Sequence, residues 1–211
     1  MTEEKILWLL GQEQSLSTHQ IEKGTKLKYP TLIKALNRLE TLKAIRRVSL
    51  GLGIPLQWSL PKQTKVNRFT YKHTNDCADI FLAMLFTTED FDWFYEENEG
   101  DIRFDRKLIY KKKTFFFEVE RGTQPIDTIE KKIKNYSHLQ GSFNVIFTVQ
   151  DYQDAHRFKS SQSQGEKILE LLSKYKRGNQ FLVTPHKAFL SDPLGGRLIS
   201  PLDTIHSLNS L

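Results

Sequence analysis

Cys77 is the only cysteine in this chain. One thiol excludes an intramolecular disulfide and any zinc site built from several cysteines, and it fits a reducing compartment. Long apolar runs are missing as well. No segment approaches the roughly eighteen unbroken apolar residues that a membrane-spanning helix needs. The start, Met1-Thr2-Glu3-Glu4-Lys5, is acidic and does not read as a secretory signal. The expected location is therefore the cytoplasm, with no membrane partner. Six histidines, His19, His73, His138, His156, His186 and His206, have no metal-ligand spacing, and no Ser/His/Asp constellation is visible. Cys77 opens an apolar helical stretch and reads as a core residue rather than a nucleophile.

What remains is enough for real cores. The chain has 211 residues, 38% of them hydrophobic, which suits one large or two small domains. Its formal charge of +6 is unevenly spread. Residues 1–70 hold 12 Lys/Arg against 5 Asp/Glu, whereas residues 71–211 hold 19 against 20. The whole basic excess lies in the first third, as for a polyanion-binding module joined to a near-neutral one. A solvated basic surface is the alternative.

The first third reads as three helices and a hairpin. Thr2 to Leu10 repeats Ile6, Leu7 and Leu10 at helical spacing. A second helix begins after Ser17, with Gln20 in the capping-box position, and Gly24 is expected to end it. Pro30 suits the first turn of a third helix, whose apolar face is Leu32, Ile33, Leu36, Leu39 and Leu42. Thr31, Lys34, Ala35 and Arg38 fall on the opposite face. Two extended runs follow, Arg46–Leu50 and Leu56–Leu60, with Gly51–Pro55 as the tip between them. This order resembles a winged helix-turn-helix. The third helix would then enter the major groove of double-stranded DNA, with Thr31, Lys34 and Arg38 facing bases. Arg46 and Arg47 would touch phosphates, which position without specifying. Use of the same fold for protein contacts is the alternative. Pro61–Asn67 is polar and aperiodic and reads as a linker, giving domains of 1–66 and 67–211.

The densest chemistry is in Phe115-Phe116-Phe117-Glu118-Val119-Glu120-Arg121-Gly122-Thr123. Three consecutive aromatics predict a strand buried on both faces. Glu118 and Glu120, two apart, leave its end on one face. Asp105 lies on a preceding strand-like run, 102–110, and a hairpin with Lys111-Lys112-Lys113 at its tip would bring the acids together. The tip reads as a solvated turn, or else as a phosphate contact beside the acids. Thr128, Lys132 and Tyr136 share one face of a helix opened by Pro125. The remaining elements are a helix over 75–86, a strand over 91–96, a buried strand over 143–149, a helix over 166–175 and a strand over 180–184. A flexible polar loop is expected over 160–165. The order implies an α/β (α+β) arrangement, a mixed sheet flanked by helices. Clustered acids beside basic side chains suit a divalent metal near a phosphate, or simply ion pairs at a sheet end with Arg103, Arg121 or Lys131. Glu96 and Glu97 are further acids near the strand ends; Glu96 reads as a solvated carboxylate or as one more metal ligand.

That order, with an acid on the second strand and Glu118-x-Glu120 on the third, resembles the PD-(D/E)xK nuclease superfamily. The plasmid replication–relaxation family is resembled more closely, through His73-Thr74-Asn75-Asp76, Trp93 with Glu96, Glu118-x-Glu120-Arg121-Gly122-Thr123, Lys132, Tyr136 and Ser191-Asp192-Pro193-Leu194. With the N-terminal part, the resemblance covers nearly the whole chain. It implies a DNA-binding protein of a plasmid or other mobile element, linked to replication or mobilisation. Its implied partners are double-stranded DNA, a second copy in a homodimer, and replication or mobilisation proteins. In an active nuclease of this superfamily Asp105 and Glu118 would ligate Mg²⁺, and Asp105, Glu118, Glu120 and Lys132 would form the catalytic set. Two positions depart from the pattern: Glu120 stands where lysine is usual, and Phe104 where proline precedes the first acid. Lys132 is the substitute cation. Two classes of function follow, a DNA-binding factor with a degenerate nuclease domain and a metal-dependent endonuclease or nicking enzyme.

Overall fold

The computed structural model describes residues 2–63, 67–88, 90–95, 98–100, 102–150, 164–175 and 181–193. Glu96, Glu97, His156, His206, linker residues 64–66, loop residues 160–163 and Leu194 lie outside the described residues. The chain forms two compact units, 1–86 and 87–211. Among the described residues there are seven helices, a small antiparallel sheet in the first unit and a five-stranded mixed sheet flanked by helices in the second. No described helix is long and apolar enough to cross a membrane.

In the first unit α1 (Thr2–Gln12), α2 (Thr18–Thr25) and α3 (Tyr29–Thr41) pack around Ile6, Leu9, Ile21, Leu32, Leu36 and Leu39. The capping box at α2 is formed as the sequence predicts. Gln20 N–H donates to Ser17 Oγ at 3.2 Å, and Ser17 N–H donates to Gln20 Oε1 at 2.9 Å. The Gln20 amide then reaches α4 (Tyr71–Thr87), donating to Asp79 Oδ1 at 2.9 Å and to the Asn75 carbonyl at 3.1 Å. Helix α4 begins four residues before the expected Asn75 and encloses His73, whose Nε2 lies 3.7 Å from the buried Cys77 Sγ.

Gly24 does not end α2. Lys26 takes the left-handed cap at φ 58°, donating its N–H to Glu22 O. Gly24 is there for space: a Cβ would meet Leu9 Cδ1 at 2.8 Å and Leu82 Cδ2 at 3.0 Å. Pro30 falls in the first turn of α3, as expected. Two residues of that helix exchange places with the prediction. Ala35 is buried, because its small side chain fits at the edge of the apolar stripe, whereas Leu42 at the C-cap is exposed. The hairpin is shorter than predicted, β2 (Arg46–Val48) and β3 (Gln57–Ser59), and a third strand that the sequence did not announce, β1 (Leu16–Ser17), pairs with β3. Trp58 is buried at this junction and its indole N–H donates to Thr18 Oγ1 at 3.0 Å.

In the second unit the strands are β4 (Phe91–Tyr95), β7 (Arg106–Tyr110), β8 (Lys113–Glu120), β9 (Phe143–Val149) and β10 (Phe181–Pro185). Two short strands, β5 (Asn98–Glu99) and β6 (Ile102–Arg103), form a separate ribbon. The sheet order is β10-β9-β8-β7-β4. β8, β9 and β10 are parallel, and the hairpin partner β7 and edge strand β4 are added antiparallel. Helices α5 (Ile126–His138) and α6 (Gln164–Leu172) make the crossovers, and α7 (His186–Ser191) follows β10. The run expected as one strand over 102–110 is broken at Phe104-Asp105. There Phe104 turns into the core against Phe116, with ring centroids 5.3 Å apart, and the Asp105 carboxylate accepts a backbone N–H.

β8 lies mid-sheet and is buried on both faces from Phe115 onward. Phe116 packs against Tyr136 and Phe143 at 5.4 and 5.8 Å. Phe117, on the other face, packs against Trp93 and Phe189 at 5.8 and 5.5 Å. Truncating either Phe116 or Phe117 to alanine is expected to cost about 3–5 kcal/mol. Chemical denaturation of each variant checks this; losses below about 1 kcal/mol for both would contradict a central position for the strand.

Candidate functional site

The face of α3 away from the core carries Thr31, Lys34 and Arg38, all exposed, with Asn37 beside them. Thr31 and Lys34 are near the helix start, where Lys28 and Tyr29 are the N-cap and first helical residue. The Arg38 guanidinium, 71% exposed, pairs with Glu3 at 3.4 Å. Arg46 and Arg47 alternate on β2 and differ in use. Arg46 is half-buried, donating from Nε to Ser59 Oγ at 2.8 Å and from Nη2 to the Gln63 carbonyl at 2.5 Å. Arg47 is exposed, pairs with Glu40 at 2.6 Å, donates to Asn37 Oδ1 at 3.1 Å and lies over the Trp58 ring at 5.1 Å. Arg46 thus braces the hairpin, and Arg47 joins it to α3. Asn37 was missed in the sequence although it is one helical turn beyond Lys34, on the same face.

The acids occupy the C-terminal end of β8, the end of a parallel strand where open sheets present their ligand crevices. The β7–β8 register pairs Arg106 with Phe117, and one further step sets Asp105 beside Glu118. Asp105 Oδ2 accepts the Val119 N–H at 2.8 Å. Glu118 and Glu120 are fully buried and, two residues apart, face the same helix. From α5, Lys132 Nζ donates to Glu118 Oε2 at 2.6 Å and lies 3.6 Å from Glu120 Oε1. Tyr136, one turn on, donates its hydroxyl to Glu118 Oε1 at 2.6 Å. The four predicted residues Asp105, Glu118, Glu120 and Lys132 therefore belong to one cluster. Tyr136 joins them as a direct partner of Glu118, a role that its spacing from Lys132 foreshadowed without naming. Thr128, at the outer end of the same helical face, is exposed.

Burial pushes the Glu118 carboxyl up to about 8, with the Asp105 charge adding to it; Lys132 and the hydrogen bonds from Lys132 and Tyr136 oppose the rise. Burial pulls the Lys132 ammonium down, but the charges of Glu118, Asp105 and Glu120 and the bond to Glu118 outweigh it and hold Lys132 above the usual lysine range. The carboxylate oxygens are hard donors of the kind Mg²⁺ takes. Both oxygens of Glu118 already accept hydrogen bonds, and one Asp105 oxygen is engaged by the backbone. The donor chemistry fits a hard cation only if Lys132 and Tyr136 give way. The adjoining Arg106 is buried on the opposite face of the sheet, donates to the Asp105 carbonyl at 2.5 Å and lies over Tyr95 at 5.9 Å. An arginine inside a sheet gives no periodic signal, and the sequence did not mark it.

No protein-family model matches this sequence, and no curated protein matches it.

The Glu118 shift sets a pH dependence. A carboxyl that ionises less readily folded than unfolded binds more protons in the native state, so its contribution to stability falls as pH rises between about 4.5 and about 8. Lys132 is charged in both states across that window and adds no slope. Glu118→Gln should therefore remove a negative slope in the plot of unfolding free energy against pH. Urea denaturation at closely spaced pH values checks this; identical slopes for wild type and variant would contradict it.

Proposed function

We propose that the chain is a sequence-specific double-stranded-DNA-binding protein of a plasmid or other mobile element, acting in replication or mobilisation. In this reading residues 1–66 form a winged helix-turn-helix, and the second unit is a PD-(D/E)xK-like sheet whose nuclease chemistry is lost. The observation that carries it is the exposed polar face of α3, with Thr31, Lys34, Asn37 and Arg38 on it and the β2–β3 hairpin alongside. Such a helix fits a major groove about 12 Å wide, with arginine and asparagine suited to bidentate base contacts. The ion pairs of Arg38 with Glu3 and Arg47 with Glu40 involve partly exposed side chains and are cheap to exchange for phosphate or base contacts. Arg46 holds the hairpin in place.

The convergence of Asp105, Glu118, Glu120 and Lys132 supports a second reading, a metal-dependent endonuclease or nicking enzyme guided by the same helix. Asp105 and Glu118 would hold Mg²⁺, and a bound ion of this kind polarises a phosphoryl oxygen and makes water a nucleophile at neutral pH. Lys132 would then offset charge on the phosphate. The engagement of both Glu118 oxygens by Lys132 and Tyr136 favours the binding reading, because an ion would have to displace one of these donors.

Fluorescence anisotropy on a duplex selected from a random pool tests the first reading with the full chain. Arg38→Ala should lose about 1–3 kcal/mol of discrimination against altered sites. Unchanged discrimination in each of Thr31→Ala, Lys34→Ala and Arg38→Ala would sink it.

Thermal melting with Mg²⁺ or Mn²⁺ separates the two readings. An ion that binds only the folded chain raises the melting temperature. No rise is expected. A rise that Asp105→Ala abolishes, together with nicking of supercoiled DNA, would establish the nuclease instead.

A further inference from the structure

The turn between β7 and β8 has unusual chemistry. Tyr110 pairs with Lys113, so the loop is two residues long, Lys111 and Lys112. Both have left-handed backbone, at φ 48° and 62°. This is the type I′ hairpin geometry, for which Asn-Gly is strongly preferred because a Cβ is disfavoured at positive φ. Here two lysines occupy the strained positions and a third, Lys113, follows. All three are exposed.

The topology places more cations at the same end of the sheet. β8, β9 and β10 are parallel and start there, and α5 and α6 run back to finish there. Lys134 and His138 lie in the last two turns of α5, and Lys174 follows α6; all are exposed. Among the described residues none of Lys111, Lys112, Lys113, Lys134 and Lys174 forms an ion pair, and the Lys111 ammonium lies over the Tyr110 ring at 5.0 Å. Among the described residues the carboxylates toward this end are Asp90, just before β4, Asp92 on β4 opposite Ile109, and Glu170 on α6. Asp105, Glu118 and Glu120 lie at the far end of β8 and cannot neutralise the tip. The hairpin lysines are therefore not neighbours of the acid cluster, as one sequence expectation had them.

We propose that this end of the second unit, Lys111, Lys112 and Lys113 with Lys134 and Lys174, is a second contact for duplex DNA, gripping phosphates without reading bases. The proposal rests on the DNA-binding reading above and extends it to a surface outside the winged helix. A tight hairpin fixes where the two lysine stems leave the backbone, so backbone strain is retained where charge is presented. Phosphate contacts of this kind add affinity that is independent of sequence and sensitive to salt.

The test replaces the strained pair by the residues the turn prefers. Lys111→Asn with Lys112→Gly, in the full chain, should melt no lower than wild type, so weaker binding cannot be ascribed to misfolding. Its affinity should fall equally for the selected duplex and for an unrelated one. The slope of log Kobs against log salt should become shallower by about 1.8, or 0.9 for each of two phosphates. Lys111→Arg with Lys112→Arg, which keeps the charge, should retain the slope. If the Asn-Gly variant keeps the wild-type affinity and slope while Arg38→Ala still loses discrimination, the second contact is refuted and the winged-helix reading stands. If the wild type binds no duplex, both fall.

Discussion

The second unit is organised around one buried carboxylate. Glu118 lies at the end of a mid-sheet strand with no exposed surface; burial lifts its pKa to about 8, and its ionised form is costly there unless paired and hydrogen-bonded. Lys132 and Tyr136 supply both, and both come from α5. The same Tyr136 ring packs on Phe116 and approaches Phe143 and Phe181, so the polar tie and the aromatic core are made by one side chain. Replacing Lys132 removes the counter-charge of Glu118, whereas replacing Tyr136 leaves the ion pair in place and strips one buried oxygen of its hydrogen bond.

The two ends of that sheet have opposite electrostatics. At the C-terminal end of β8 three carboxylates lie around one close lysine, and burial first, then the Asp105 charge, raises the Glu118 pKa. At the N-terminal end the exposed charges are chiefly cationic. In the first unit the cations are arranged differently again: Arg46 is committed to internal hydrogen bonds, while Arg38 and Arg47 retain much exposed surface beside single glutamates. Equal residue counts thus conceal different availability. A guanidinium held by backbone and hydroxyl acceptors shapes a surface, and one paired with a solvated glutamate can trade that partner for another anion.

Much of the fold was legible in the sequence where local chemistry and tertiary packing agree. The Ser17/Gln20 capping box, Pro30 at a helix start, the Phe115–Phe117 strand and the buried Cys77 are such cases. The i, i+2 spacing of Glu118 and Glu120 and the helical spacing of Lys132 and Tyr136 also brought the site residues to facing surfaces. What was illegible depended on distant partners. Gly24 looked like a helix terminator because its need for space comes from Leu9 and Leu82. Ala35 looked solvent-facing because alanine carries little periodic signal. The break at Asp105 is fixed by the Val119 N–H, fourteen residues away, and the two-residue strand β1 is too short to alternate. Arg106 is buried against Tyr95 and a neighbouring carbonyl, an environment no local rule announces.

The reach of the Gln20 side chain orders events during synthesis. Its amide spans 55 residues to the Asn75 carbonyl and 59 to Asp79, and Trp58 pairs back to Leu16 across 42 residues. Contacts of such separation close late, because the intervening chain must first be confined. While a ribosome is still making α4, the first three helices and the hairpin lack the element that satisfies Gln20 and covers Gly24. The first unit is therefore finished only when the chain has passed Asp79, well beyond the β2–β3 hairpin. A nascent chain stalled before that point would lack Leu82 beside Gly24, and the first unit would be completed just as the sheet of the second unit begins to be made.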